Sequence, residues 1–333
     1  MSVKRWLWLP ALILAGCGSV ATVQPSASPS AGALSCRLPV AVNTGNGEQP
    51  AFIQFPQSQL NPTTLPSFSG DQLRAWGAPA YDQPLSTWLP VPPAHVSPDG
   101  TRYAYSFVDW SGGGRPTVTH LHVVDVRSGL DRDVYDKGAY DVATFTDDAI
   151  YVVHHLPQTD ASDGLWALDP DTGALRPITT GGIEWSVGGG AGWSADLVPG
   201  DTAPGKFPAD RLLRLDLRTG TVTPWFTRPG LQVQVFGFDS AGHPMVVAGS
   251  PAKTEVWLVT AANAGTLVDS GPGWGDANGL SLHWPLVTDP RGVWMASNRG
   301  IYLYRTDTRL LQLVYPSTSP TGAKIDFVSG DCR

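Results

Sequence analysis

The chain has 333 residues, of which 37 are Gly and 30 are Pro, a share well above average usage that excludes a long helical bundle. Charged residues make up 15 % and hydrophobic ones 42 %, so the composition fits neither a disordered chain nor a coiled coil. The formal charge is -7 and there is no Lys/Arg block, which argues against nucleic acid as the main partner.

Lys4 and Arg5 precede an apolar run from Trp6 to Ala15, too short for the roughly 20 residues that a spanning helix needs. This is a signal-peptide layout. Its end, Leu14-Ala15-Gly16-Cys17, resembles the lipobox of bacterial lipoproteins. That resemblance implies removal of residues 1–16 and acylation of Cys17 as the first mature residue; an ordinary secretory signal with an incidental Cys is the alternative. Residues 17–35 then form a lipid-anchored linker, since Gly18 to Ala33 is uncharged and too poor in bulky apolar residues to order itself. Residues 36–333 are the folded domain, and the expected location is extracytoplasmic, lipid-anchored at the bacterial cell membrane.

Cys36 and Cys332 bracket that domain. In an oxidising compartment a bridge between them closes nearly all of it into one loop. Two separate buried thiols are the other reading.

From Ala94 onward one order of signals returns five times: a strand, a tight turn, a second strand, a variable connection, a third strand, a Gly turn and a fourth strand. The first unit runs through His95–Ser97, the turn Pro98-Asp99-Gly100, then RYAYSF, LHVVDV, Arg127-Ser128-Gly129 and RDVYD. The second holds DVATFT, AIYVVHH, LWALD and RPITT, and the third IEWSV, GWSADLV, LLRLDL and TPWFT. VQVFGF, PMVVAG, VWLVT and TLVDS follow, then LHWPLV, VWMAS, IYLYRT and LQLVY. A period of about 40 to 50 residues is that of propeller blades. KIDFVSG at Lys324–Gly330 lacks following strands, whereas RLPVAVN, AFIQF and TWLPV near the start lack an inner strand. Each end supplies what the other lacks. The expected fold is all-β, a six-bladed β-propeller of four-stranded antiparallel blades whose closing blade is shared by the N- and C-termini.

The turn Ser97-Pro98-Asp99-Gly100 followed by RYAYS, with LWALDPDTGALRPIT at Leu165–Thr179, resembles the TolB-like or PD40 repeats of periplasmic β-propellers. The resemblance implies the architecture of residues 94 to 317; its motif residues form turns and blade contacts rather than a reaction centre.

Connections between second and third strands are long in the first three units, around Asp109 to Pro116, Leu156 to Gly164 and Pro199 to Arg211, while the other turns are short. Long connections on one face of a rigid scaffold point to a ligand or partner surface. Asp109, Trp110, Asp160, Asp163 and Trp193 are its candidate binding residues, with Trp274 also near a loop. His120 and His122 share a strand face, a spacing that suits one metal ion, but no third ligand is identifiable; His154 and His155 point to opposite faces. No nucleophile elbow, P-loop or dinucleotide fingerprint occurs, so no catalytic residue, metal or cofactor is assigned. The leading expectation is a non-catalytic binding or protein-interaction module, with an envelope protein or extracellular ligand as partner. The alternatives are a propeller hydrolase or lyase acting on extracellular carbohydrate, in which Asp109, Asp160 or Asp163 takes part, and a purely structural assembly role.

Overall fold

A computed structural model describes residues 34–43, 48–68, 79–107, 118–155, 162–197, 208–250, 252–271, 273–274, 286–317 and 324–333. The chain divides into Met1–Leu34 and Ser35–Arg333, and the fold is that of the second unit.

Alternating apolar residues and Gly- or Asp-bearing turns produce antiparallel hairpins throughout. After the short hairpin of β4 (Ala80–Asp82) and β5 (Thr87–Leu89), the first blade comprises β6 (Arg102–Phe107), β7 (Thr119–Asp125) and β8 (Asp131–Gly138). Its inner strand is reduced to one bridge, Val96 to Tyr103, because Pro93–His95 winds into a single 3-10 turn. The second and third blades are β9 (Tyr140–Phe145), β10 (Ile150–His155), β11 (Ser162–Leu168), β12 (Leu175–Gly188), β13 (Ala191–Leu197), β14 (Pro208–Asp216) and β15 (Val222–Thr227). The expected strands RPITT and IEWSV are one continuous strand, β12, which serves as outer strand of one blade and inner strand of the next. Gly182, at φ 83°, turns its corner, and a Cβ there would lie 2.5 Å from the Trp185 ring.

The fourth blade is β16 (Gln232–Phe238), β17 (Pro244–Ser250), β18 (Lys253–Ala261) and β19 (Ala264–Ser270). The fifth is β20 (Val287–Asp289), β21 (Gly292–Ser297), β22 (Gly300–Arg305) and β23 (Leu310–Pro316). The closing sheet has the order β24-β1-β2-β3, joining β24 (Lys324–Val328) to β1 (Arg37–Asn43), β2 (Glu48–Gln54) and β3 (Gln59–Pro62). The protein is therefore a six-bladed β-propeller closed by strands from both ends of the chain. One assignment is corrected: the outer strand of the closing blade is QLNP, not TWLPV. The turn at residues 55–58 folds QLNP back on β2, and TWLPV pairs instead with Ala80–Asp82.

Hydrophobic clusters lie between successive blades. Leu121, Val123, Val142 and Val152 join the first to the second, and Tyr151, Leu165, Trp185 and Leu215 the second to the third. Trp193, Leu212, Val233 and Val246 join the third to the fourth, and Met245, Leu258, Met295 and Tyr304 the fourth to the fifth. Apolar side chains are thus buried from both faces of each sheet, which stacks the blades as a ring.

Cys36 and Cys332 form a disulfide across the closing blade, with 5.5 Å between their Cα atoms. Reciprocal backbone bonds between Arg37 and Arg333 lie beside it.

Candidate functional site

Strand direction sorts the connections onto two faces. First-to-second and third-to-fourth turns share one face with Cys36 and Cys332, because β1 leaves that face and β24 arrives at it. Second-to-third connections join strand ends on the opposite face: residues 108–118, 156–161 and 198–207 in three consecutive blades, against 251–252 and 298–299 in the fourth and fifth.

The short-turn face is built from Asp-centred turns. Asp169 accepts the backbone N–H groups of Asp171 and Thr172, and Asp216 those of Arg218 and Thr219. These bonds hold both carboxyls below the usual carboxylate range. Hydrogen bonds from Ser97 and Thr101 carry Asp99 down to about 2. Such residues make turns and are occupied in doing so.

Asp109, Trp110 and Asp160 lie outside the described residues, as does Cys17, and of Asp163 only the backbone, in β11, is described. Trp193 is corrected. It stands within β13, the expected strand GWSADLV, but is buried rather than on a binding surface: it is 4 % exposed, packs between the third and fourth blades and donates its indole N–H to Gly188 O at 3.1 Å. The Gly188–Gly190 turn before it invited a surface reading, yet alternation along β13 turns its ring into the blade interface. Trp274 is likewise buried, with its indole N–H on Asp269 Oδ2 at 2.6 Å.

A polar constellation stands on the flank of the first blade, at the end of β7 that receives residues 108–118. His120 and His122 project from the same face of β7, opposite Phe107 and Tyr105 of β6. His120 Nδ1 lies 2.6 Å from Asp133 Oδ2, and His122 Nδ1 lies 2.8 Å from Asp131 Oδ1. Tyr105 donates its hydroxyl to Asp131 Oδ2 at 2.6 Å and stacks on His122, with the rings 4.7 Å apart and 13° from parallel. A carboxylate only accepts, so His122 Nδ1 carries a proton, and in the neutral ring Nε2 is then the nitrogen with the lone pair. One ligand atom each from His120, His122 and Asp133 falls within 4.8 Å of the other two.

Asp133 is the partner that the His-x-His spacing could not identify. The β7–β8 pairing shifts register between Thr119 and Leu121 and again between Leu121 and His122. Strict alternation from Asp133 would set Tyr135 on the histidine face. The bulge instead pairs it with Leu121 and packs it toward the second blade.

No protein-family model matches the chain, and no curated protein matches it in sequence. Among solved structures it is similar to TolB from Acinetobacter baumannii, 14 % identical with a TM-score of 0.50, over 89 % of this chain and 67 % of that one. It is also similar to one of two prolyl endopeptidases, 13 % identical with a TM-score of 0.49, over 84 % of this chain and 39 % of that one. An oligogalacturonate lyase in complex with manganese is 13 % identical with a TM-score of 0.45, over 86 % of this chain and 75 % of that one. At such identities the likeness to TolB shows a shared propeller fold and leaves function to the site itself.

Proposed function

We propose that the chain is an extracytoplasmic, lipid-anchored propeller that acts as a non-catalytic binding or protein-interaction module at the bacterial cell envelope. Cys17 is its membrane attachment, and the face joined by residues 108–118, 156–161 and 198–207 reads an envelope protein or extracellular ligand. One observation carries this reading. The described chain enters the ring at Cys36, on the short-turn face, which is opposite the face that carries the long connections. Ring closure by strands and a disulfide supports the same role, since a rigid scaffold lets long connections bind without loss of order.

Photo-crosslinking in the native bacterium tests it, with the crosslinker at Val118, exposed beside the first long connection, or at Leu130, exposed on the short-turn face. A protein or envelope adduct is expected from Val118 and not from Leu130, and Cys17→Ser is expected to release the protein from the membrane fraction. Equal labelling from both positions, or a turnover abolished by one or two substitutions on the long-connection face, overturns the proposal.

A further inference from the structure

We propose that His120, His122 and Asp133 form a binding site for a divalent first-row transition cation of the zinc class. The proposal does not depend on what the long-connection face binds.

Three independent features converge on it. The donor set is two imidazoles from alternate positions of one strand and a carboxylate from the neighbouring strand, a combination that suits Zn2+ and its first-row neighbours rather than Ca2+ or Mg2+, which take oxygen ligands. The second feature is the support around His122. Asp131 holds its Nδ1–H, Tyr105 holds Asp131 and stacks on the ring, and together they fix the tautomer that presents Nε2. Metal-bound histidines are commonly oriented by such a carboxylate. The third is the bulge, which removes Tyr135 from the face and leaves the His120 and Asp133 side chains 37 % and 40 % exposed, open to an incoming ion.

The geometry needs little adjustment. Ligand atoms about 2.0 to 2.1 Å from a tetrahedral zinc are about 3.3 Å apart, so the present spread of 4.8 Å or less closes by rotation of exposed side chains. A cation seated between His120 Nδ1 and Asp133 replaces their hydrogen bond by two coordinate bonds, and the imidazole proton moves to Nε2. With three protein ligands, the remaining position is left for water or for an acidic group of a bound partner.

Calorimetric titration of the full chain in detergent with ZnCl2, CoCl2, MgCl2 and CaCl2 tests the proposal, together with Co2+ absorption and melting of each variant without metal. One Zn2+ or Co2+ is expected per chain, with d–d bands lacking thiolate charge transfer, a raised melting temperature, and no uptake of Mg2+ or Ca2+. His120→Ala and His122→Ala are expected to abolish uptake, and Asp133→Asn to weaken it. Asp131 and Tyr105 are positioning residues, so Asp131→Asn and Tyr105→Phe should retain the spectrum and weaken binding about 10- to 100-fold. His243→Ala and His154→Ala are expected to bind as the wild type does. The proposal is overturned if the wild type takes up no more Zn2+ than a cooperatively folded double variant, His120→Ala/His122→Ala. If that variant does not fold, wild-type affinity in Asp131→Asn and Asp133→Asn overturns it equally.

Discussion

Removal of the Cys36–Cys332 bridge is a direct test of how the ring is held. The two residues are separated by 296 positions, so the bond closes almost the whole folded unit into a single loop. The chain-entropy relation gives about 5 to 6 kcal/mol for a loop of that length, exerted through the unfolded chain rather than through native contacts. Unfolding entropy of about 2 cal/mol/K per residue amounts to roughly 0.6 kcal/mol/K for a domain of this size, so the melting temperature should fall by about 9 °C. Cys36→Ala/Cys332→Ala is the variant, and dithiothreitol-reduced wild type is the control that keeps both sulfurs. Calorimetry and urea unfolding are the assays. The urea m-value should rise in both cases, because an unlinked unfolded chain exposes more surface. A melting temperature within about 2 °C of the oxidised protein, with an unchanged m-value, would refute an action through the unfolded state.

Other perturbations probe single contacts. Burial pushes the His95 imidazole down from 6.5 to about 4, against a weaker opposing hydrogen bond with the Val142 backbone. Its neutral form is favoured by folding, so stability present above pH 6.5 is lost as the pH falls toward 4; the loss is at most about 3 kcal/mol because the ring is only half-buried, and His95→Gln should flatten that part of the melting-temperature profile. Gly189, at φ 59°, turns against the next blade, and a Cβ there would meet Gly242 O at 2.2 Å. Gly189→Ala should therefore cost about 2 kcal/mol or more in urea unfolding, whereas Gly129→Ala, with open space around it, should cost only the strain of its positive φ, about 1 kcal/mol. Glu255 is 2 % exposed; burial alone raises its carboxyl, but bonds from Lys253, Trp257 and Arg228 carry it below the ordinary range. Glu255→Ala should cost about 3 kcal/mol by chemical denaturation, because the half-buried Arg228 loses its counter-charge.

The fold was legible because each blade states itself in local terms: alternation marks the strands, and Asp and Gly mark their turns. What failed was local as well. QLNP, short, polar and ending in Pro62, carries no alternating pattern because it is an edge strand with one side unpaired. The continuity of β12 was hidden by Thr180-Gly181-Gly182, which reads as a loop but serves as the bend between two blades. Asp133 stayed invisible because a register shift is a property of two paired strands, and neither strand announces it alone. His120 and His122 could be seen to share a face, but the identity of their neighbour depended on that shift. Trp193 shows the converse, since nearness to a Gly turn says nothing about which side of β13 its ring occupies.

Closure of the ring does not rest on the disulfide alone, and Asp289 is the residue through which this can be tested. Its side chain is fully buried; Oδ1 accepts the Arg291 N–H at 2.7 Å and Oδ2 accepts the Cys332 N–H at 3.2 Å. Arg291 completes the grip by donating Nη1 to Cys332 O at 2.6 Å, so one turn of the fifth blade holds the penultimate residue by both its backbone groups. Gln83 holds Asp331 O from the β4–β5 hairpin in the same way. Asp289→Ala leaves the buried Cys332 N–H and the part-buried Arg291 N–H without an acceptor and should cost about 3 kcal/mol in denaturant unfolding. That loss acts on the folded state, whereas loss of the disulfide acts on the unfolded one. If the C-terminus stays seated without the bond, the two costs in a combined Asp289→Ala/Cys36→Ala/Cys332→Ala variant should add to within about 0.5 kcal/mol. If the combined cost falls short of the sum by more, removing the disulfide has already unseated Cys332 from Asp289, and the covalent bond, not the polar latch, holds the closing blade.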